Sequence, residues 1–260
     1  MDYLSLDLDK MNDLLFYAAN IEDITLDCVV GHDVAHRFPL HSHRSLCIGL
    51  VTKGVRSMNV SGSHINISEN EVFIINSNQP HSIDDIVPHS YIALTVNGLA
   101  DNTVFGNIVR SETAAEMLKS VAEAIIQKSD ILASQWSLLF NYLKTNYLFA
   151  ETIPSEGLMI KKVKKYISDN YYNQVAISEM AKEACMSKFH FCRQFRQKVG
   201  MSPHIYLINW RLRHANKCLK SNMPVLDAAI DAGFYDSSHL IRAFRSYMAV
   251  SPDDYRRAFR

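Results

Sequence analysis

The chain contains one segment twice, and this internal repeat constrains the fold of the C-terminal part more than any other feature. Residues Phe189–Tyr206 align with Ser238–Tyr255 at a shift of 49, and seven of the 18 aligned residues are identical. Both copies contain His-x-x-Arg-x-Phe-Arg and end with Ser-Pro-x-x-Tyr. A repeat of about 50 residues built from short helices indicates one structural unit that is used twice.

Helix signals around the repeat predict two helix-turn-helix units joined by one long helix. Ser187 is expected to cap the helix of the first copy, Gly200 to end it, and Ser202-Pro203 to open the long helix. Phe191 and Phe195, four residues apart, are expected to face the core. The predicted helices are 158–170, 178–184, 187–198, 202–219, 225–232, 237–247 and a short one from Ser251-Pro252.

The outward faces of the two repeated helices suit DNA. A recognition helix fits the major groove, where side chains near its N-terminal end reach base edges. We predict that Arg193 and Arg242 bind guanine and that Phe189 and Ile241 touch thymine methyl groups. Phosphate contacts are expected from the remaining cations, Lys188, Arg196 and Arg245.

Charge is divided unevenly between the two halves of the chain. Residues 1–154 contain 9 Lys and Arg and 18 Asp and Glu, a net charge of −9, whereas residues 155–260 contain 18 and 9, a net charge of +9. This asymmetry predicts a C-terminal half that binds a polyanion, with chance clustering on solvated faces as the alternative. Five scattered cysteines form no disulfide framework, and neither a signal peptide nor a run of 18 apolar residues is present. A reducing cytoplasm and no membrane contact are therefore predicted.

Short β-like runs fill the middle of the N-terminal half. They are rich in β-branched residues, are separated by turns such as Thr52-Lys53-Gly54, and span 47–52, 55–60, 63–67, 72–75 and 91–96. This spacing predicts a small sandwich or barrel whose interior can hold one small ligand. The first 36 residues are less informative, and 14–18 fit a short helix or the start of a strand.

Histidines mark a candidate binding site in this β region. His41 and His43 are expected on the same side of a strand, because side chains alternate. With a third imidazole such as His81 they would form a metal-binding face. We favour a metal-free pocket in which the histidines hydrogen-bond a small polar effector. The other histidines of this half have no such pattern and are predicted on the surface: His32, His36, His64 and His89.

The same segment resembles the two motifs of the cupin family. His41 and His43 match the first histidine pair, Gly54 the closing glycine and His81 the last ligand, while Cys47 stands in place of the metal-binding glutamate. The resemblance implies a cupin-like β-barrel. It also implies zinc or a similar divalent ion as the candidate metal. The same four residues are the candidates for binding either the effector or the metal: His41, His43, Cys47 and His81.

Residues Leu158 to Arg260 resemble the DNA-binding domain of the AraC/XylS family of bacterial transcription regulators, most specifically over 181–206 and 228–255. A cupin-like N-terminal sensor is also the usual arrangement in that family. Cys185 and Ala249 depart from the pattern, because each stands where a glycine is expected. The resemblance implies base contacts from Phe189, Cys192 and Arg193 in the first unit and from Ser237, Ser238 and Arg242 in the second.

We therefore expect an α+β chain in three parts. Residues 1–150 form a cupin-like barrel with flanking helices, which binds effector and dimerises. Residues 151–157 form a polar linker containing proline and glycine, and residues 158–260 form the double helix-turn-helix domain. Two apolar helical stripes are predicted, over 111–128 and 132–147. The second, broad and aromatic, either packs on the barrel or forms a dimer interface of paired helices, which we slightly favour.

The predicted function is a cytoplasmic, sequence-specific transcription regulator that is not an enzyme. Its partners would be double-stranded promoter DNA, a small-molecule effector, a second copy of the chain and, if it activates, RNA polymerase. One alternative is a metal-sensing regulator that uses the His/Cys cluster. A metal-dependent cupin enzyme with an accessory helical domain is less favoured, because the glutamate and any second acid/base group are missing.

Overall fold

The computed structural model describes residues 14–84, 87–99, 103–150 and 157–259. An N-terminal β domain with two helices is followed by a helical domain that contains two helix-turn-helix units. The predicted linker, 151–157, lies outside the described residues except for Gly157. No helix in the described part of the chain is long and apolar enough to cross a membrane.

The β domain contains two main sheets and one small one. A six-stranded sheet has the order β1-β2-β9-β4-β7-β11, a four-stranded sheet the order β3-β8-β5-β6, and β10 pairs with β12. In chain order the strands are β1 (Leu14–Ile21), β2 (Ile24–Val34), β3 (Phe38–His41), β4 (Leu46–Lys53), β5 (Val55–Val60), β6 (Ser63–Ser68), β7 (Val72–Ile75), β8 (His81–Ile83), β9 (His89–Asn97), β10 (Val104–Phe105), β11 (Ile108–Val109) and β12 (Leu148–Ala150).

The two main sheets share an apolar layer. Phe73 and Ile75 of the six-stranded sheet pack in one cluster with Met58, Val60 and Ile83 of the four-stranded sheet. Burial alternates along β5, so that every second residue faces this layer. The period-two pattern of the sequence therefore determines which side chains of β5 are inside.

The first two strands form a long hairpin that the sequence predicted poorly. Leu14 pairs with Gly31 and Ile21 with Ile24, so residues 14–18 belong to a strand and not to a helix. β2 continues the sheet by pairing with β9, as in Leu26 opposite Val96. This partner lies about 70 residues away along the chain, which a local pattern cannot reveal.

Two helices cover the outer face of the six-stranded sheet, α1 (Glu112–Ile126) and α2 (Leu132–Tyr147). Leu118 of α1 and Trp136 and Leu139 of α2 belong to the same buried cluster as Ile48 and Leu94 of the sheet. The apolar stripes of both helices are thus used for packing within the chain. The buried residues of the second stripe pack within the chain, and the prediction that this stripe forms a dimer interface stays a prediction.

The helical domain follows the predicted boundaries within one residue at each helix end. Its helices are α3 (Leu158–Asn170), α4 (Ile177–Glu183), α5 (Lys188–Val199), α6 (Pro203–Lys220), α7 (Val225–Asp231), α8 (Ser237–Met248) and α9 (Pro252–Ala258). Helices α4 and α5 form the first helix-turn-helix unit, α7 and α8 form the second, and α6 joins them. Phe191 and Phe195 are fully buried, as are Leu240 and Phe244 in the second unit.

The second helix-turn-helix unit packs directly on the β domain. Leu14, Val34 and Tyr91 of the β domain belong to the same buried cluster as Ile208 of α6 and Phe244 of α8. The first unit has a core of its own, and Leu40 of β3 packs against its edge. The two units therefore differ in how closely they are held by the N-terminal domain.

Candidate DNA-binding surface and effector site

Most of the predicted DNA-binding residues lie on the outer faces of α5 and α8. Phe189, near the start of α5, is 89% exposed. Cys192 and Ser237 are partly buried, and Cys192 packs against the core of the first unit. The exposed residues of the predicted set are Lys188, Phe189, Arg193, Arg196, Ser238, Arg242 and Arg245.

The ends of the two recognition helices are held differently. Ser187 occupies the predicted N-cap position of α5, but its side chain accepts no hydrogen bond from the helix. Asp236 caps α8, and its carboxylate accepts a hydrogen bond of 2.6 Å from the backbone N–H of His239. At their C-termini, Gly200 and Ala249 both adopt left-handed backbone conformations. The backbone conformation at the end of the helix is thus the same in both copies of the repeat, even where the residue types differ.

Three predicted histidines of the β domain come together. The ring centroids of His41 and His81 are 4.1 Å apart, and those of His43 and His81 are 5.0 Å apart. His41 ends β3 opposite His81 of β8, whereas His43 lies beyond the end of the strand. The prediction that His41 and His43 share a strand was therefore wrong, although both rings approach His81.

Each of these imidazoles has one nitrogen engaged by the backbone. Nδ1 of His41 donates to the carbonyl of Pro39 at 2.7 Å, Nδ1 of His43 to that of Ser45 at 2.7 Å, and Nδ1 of His81 to that of Gln79 at 3.0 Å. A carbonyl only accepts, so Nδ1 bears the proton in each ring.

Burial keeps the cluster uncharged. It lowers the pKa of His41 to about 4, with the neighbouring imidazole of His43 as the second cause. It also lowers the pKa of His43, and that of His81 well below its ordinary value. Neutral rings protonated on Nδ1 present Nε2 as a hydrogen-bond acceptor or metal ligand.

The fourth predicted member, Cys47, is also uncharged at neutral pH, because burial raises the pKa of its thiol to about 11. No three of the four described side chains bring ligand atoms within 4.8 Å of one another. The four residues thus line one region without forming a compact ligand set.

A buried arginine that the sequence prediction missed lies beside these histidines. Arg56 of β5 is 4% exposed, and neither Nε nor Nη1 of its guanidinium has a hydrogen-bond partner among the residues that the structure describes. The group lies between two aromatic rings, 4.0 Å from the centroid of Tyr91 and 5.1 Å from that of Phe73. Its positive charge contributes to the lowered pKa of both His41 and His81. Period-two alternation along β5 is the signal that could have identified it.

The histidine cluster borders the helical domain. The ring of His41 meets that of Tyr247 of α8 edge to face, with centroids 5.8 Å apart. Arg213 of α6 is close enough to His43 to contribute to the lowered pKa of that ring. Arg44 and Arg213 flank the Trp210 ring, with guanidinium carbons 4.4 and 4.3 Å from its centroid. Two of the candidate effector residues, His41 and His43, thus lie where the β domain meets the helical domain.

Not all histidines of the N-terminal half follow the prediction. His89 is fully buried and stacks on Tyr91 at 5.5 Å, so its predicted surface position was wrong. His36 is partly buried, and its Nε2 donates to the carbonyl of Ser246 in α8 at 3.0 Å. Both make tertiary contacts that no local pattern encodes.

A β ligand-binding domain joined to two helix-turn-helix units defines the class of this protein, and comparison with known families agrees. The AraC-like ligand binding domain matches residues 24–135, and a helix-turn-helix domain matches residues 180–258. The chain belongs to the AraC family of DNA-binding transcription regulators and has an N-terminal ligand-binding domain.

Curated relatives are similar over most of the chain, and solved structures share its fold. The Uncharacterized HTH-type transcriptional regulator YbfI of Bacillus subtilis is 22% identical over 80% of this chain and 82% of that protein. The probable transcriptional regulator LumQ of Photobacterium leiognathi is 21% identical over 86% of this chain and 93% of that protein. The crystal structure of ToxT from Vibrio cholerae shares the fold, with a TM-score of 0.57 at 10% identity over 92% of this chain and 99% of that chain. A second ToxT structure, with unsaturated fatty acid bound, has a TM-score of 0.56 at 14% identity and covers 92% of this chain and 96% of that chain.

Proposed function

We propose that this regulator binds promoter DNA through α5 and α8 and is controlled by an anionic small molecule bound near His41, His43, Cys47 and His81. Arg56 is the observation that supports an anionic effector. A buried guanidinium without a hydrogen-bonded counter-ion is costly, and a bound carboxylate would remove that cost.

The surroundings of Arg56 favour an anion over a cation. The nearby imidazoles and the Cys47 thiol are neutral at pH 7, for the reasons given above, and Arg44 and Arg213 add positive charge on the side of the helical domain. The ToxT relative of similar fold has been crystallised with carboxylic acids, an unsaturated fatty acid among them. We propose a carboxylate effector for this chain, with Nε2 atoms of the histidines accepting hydrogen bonds from its polar groups.

The effector class is tested by thermal unfolding of the full chain with a series of carboxylates from acetate to decanoate, each compared with its neutral amide. A ligand that binds only the folded state raises Tm as its concentration exceeds Kd. We expect stabilisation by carboxylates alone, lost in Arg56→Met and retained in Arg110→Met, whose exposed side chain pairs with Glu71. Equal stabilisation by amides and carboxylates, or none by any carboxylate, would contradict the proposal.

Base contacts are proposed for Arg193 and Arg242, because both are exposed at the sixth position of a 12-residue recognition helix. After an operator has been selected from random duplexes, Arg193→Ala and Arg242→Ala should each cost about 1–3 kcal/mol of specific binding and relax one base preference. Lys188→Ala is the matched variant for a phosphate contact, and it should weaken all sequences alike and flatten the salt dependence. Unchanged specificity in both arginine variants would refute the assignment.

The remaining partners follow from the family. We propose that the chain works as a homodimer in the cytoplasm, contacts RNA polymerase if it activates, and catalyses no reaction. On α2 the exposed apolar side chain is Leu138, with Ile131 just before the helix. Sedimentation of the full chain tests the dimer.

A metal-sensing function for the histidine cluster is the alternative to the carboxylate effector. The three backbone-engaged imidazoles, each with Nε2 available, are the observation that favours it. Elemental analysis of protein purified without chelator distinguishes the two: stoichiometric metal that is lost in His81→Ala would replace the proposal of a metal-free site.

A further inference from the structure

A second cluster of metal-ligating side chains lies in the helical domain, far from the predicted histidine set in the sequence. His214 and Cys218 are one turn apart on the same face of α6, and Asp231 ends α7. Nε2 of His214 is 2.5 Å from Oδ2 of Asp231, and Sγ of Cys218 is 3.5 Å from the same oxygen. Within the described part of the chain, this is the one group of three whose ligand atoms all lie within 4.8 Å of one another.

We propose that His214, Cys218 and Asp231 bind a divalent transition-metal ion of the zinc class. One nitrogen, one sulfur and one carboxylate oxygen are donors that zinc accepts, whereas a thiolate disfavours the hard ions magnesium and calcium. Metal–ligand bonds of about 2.0–2.3 Å in a tetrahedron place neighbouring ligand atoms about 3.3–3.6 Å apart. The sulfur–oxygen distance already fits, and the nitrogen–oxygen pair must open by less than about 1 Å, a movement within reach of an aspartate rotamer.

The neighbouring groups orient the ligands as a metal site requires. Nδ1 of His214 lies 2.9 Å from the hydroxyl of Tyr171, which fixes the ring with Nε2 toward Asp231. Cys218 is 6% exposed, while the Asp231 side chain is 55% exposed. The cluster is therefore closed on the side of the thiol and open on that of the carboxylate, where water would complete the coordination.

The position of the cluster gives the ion a structural consequence. Helix α6 joins the two helix-turn-helix units, and α7 is the first helix of the second unit. Tyr171 directly follows α3, which packs in the core of the first unit. An ion shared by α6 and α7 would fix the orientation of the second unit, and Tyr171 would link that site to the first. Without an ion, His214 and Asp231 form a hydrogen-bonded contact between two helices, which is the outcome that the experiment must distinguish.

Cobalt(II) titration of the full chain, in a reductant that does not bind metals, tests the site directly. We expect about one equivalent to produce a thiolate-to-cobalt charge-transfer band and the visible bands of tetrahedral cobalt, both removed by added zinc. Cys218→Ser should abolish the charge-transfer band, and Tyr171→Phe should weaken binding about 10- to 100-fold. The measurement needs neither DNA nor effector, so its outcome is independent of the proposed function.

Matched variants keep the result unambiguous. Cys192→Ser, on α5, and Cys47→Ser, in the β domain, should leave the charge-transfer band unchanged. If Cys218→Ser does not fold, Asp231→Asn at a half-exposed position should fold and bind cobalt at least about 10-fold more weakly, since it removes a direct ligand. No charge-transfer band in the native chain, or a band that persists in Cys218→Ser or disappears in Cys47→Ser, would overturn the proposal.

Discussion

Ala249 adopts a backbone conformation that alanine ordinarily avoids. It ends α8 with a φ of +60°, and the corresponding residue of the first unit is Gly200, with a φ of +81°. A Cβ atom in the left-handed region costs about 1–2 kcal/mol. At this helix end the second unit therefore has strain that the first avoids, whereas in the turn between the two helices the first unit has Cys185 at a φ of +53° and the second has Gly233.

Glycine at position 249 should relieve this strain. We expect Ala249→Gly to raise the free energy of unfolding by about 0.5–1 kcal/mol, the relief of strain exceeding the entropy that glycine gains in the unfolded chain. Ala243→Gly, inside the same helix, should lower it by about 1 kcal/mol. Urea unfolding of both variants provides the measurement. An Ala249→Gly variant no more stable than the native chain would mean that the surrounding packing compensates for the strain.

Gly200 has a second role that Ala249 lacks. A Cβ atom there would approach Cγ of Pro80 to 2.6 Å, so the absence of a side chain also lets the first unit come close to the loop before β8. That loop leads directly to His81. A side chain at position 200 would push against the segment that precedes a candidate effector residue.

At the scale of elements, α6 depends on its first residues. The hydroxyl of Ser202 accepts a hydrogen bond of 3.3 Å from the backbone N–H of Ile205, and Pro203 occupies the first turn. Ser187 has the same extended backbone before α5 but no such bond. Two serines with the same backbone conformation before a helix thus differ in what they contribute.

This difference can be measured by removing each hydroxyl. Ser202→Ala should lower the free energy of unfolding by about 1 kcal/mol, because it removes the partner of one helix N–H group. Ser187→Ala should lower it by less than about 0.5 kcal/mol, since no helix bond is lost. Chemical denaturation followed by circular dichroism compares the two. Equal losses would show that Ser187 caps α5 in solution after all.

At the scale of the whole molecule, an ion pair between described residues joins the acidic and the basic halves. Lys220, at the end of α6, lies 2.5 Å from Oδ1 of Asp27 in β2, and the two side chains are 25% and 20% exposed. Oδ2 of Asp27 accepts a hydrogen bond of 3.0 Å from Asn97. An acidic residue of the negatively charged half thus pairs with a basic residue of the positively charged half.

A double-mutant cycle tests whether this contact couples the domains. Asp27→Asn, Lys220→Met and the double variant should give a coupling energy above about 0.5 kcal/mol, because partial burial strengthens the pair. The surface pair Lys53–Asp33 is the control, at 3.4 Å with side chains 70% and 67% exposed, and should couple more weakly. Denaturant unfolding gives the four free energies of each cycle. Equal coupling in both cycles would refute the role of the Asp27 contact.

The helical domain was predictable from the sequence because its signals are local. Helix ends were placed within one residue by caps such as Ser202-Pro203 and by the i, i+4 spacing of Phe191 and Phe195, which contact each other one turn apart. The repeat also located the outward faces of α5 and α8. Short strands such as β5 and β7 were found for the same reason, since period two and turn residues lie within a few positions of each other.

Tertiary structure alone decided the features that depend on distant partners. The β1–β2 hairpin is completed by β9, His89 is buried against Tyr91, and Arg56 is enclosed by rings from two other strands. The same holds for the contacts of His41 with Tyr247 and of Asp27 with Lys220, which join the domains. Local periodicity determines which side of an element is apolar, but only the packed chain determines which charged groups that side encloses.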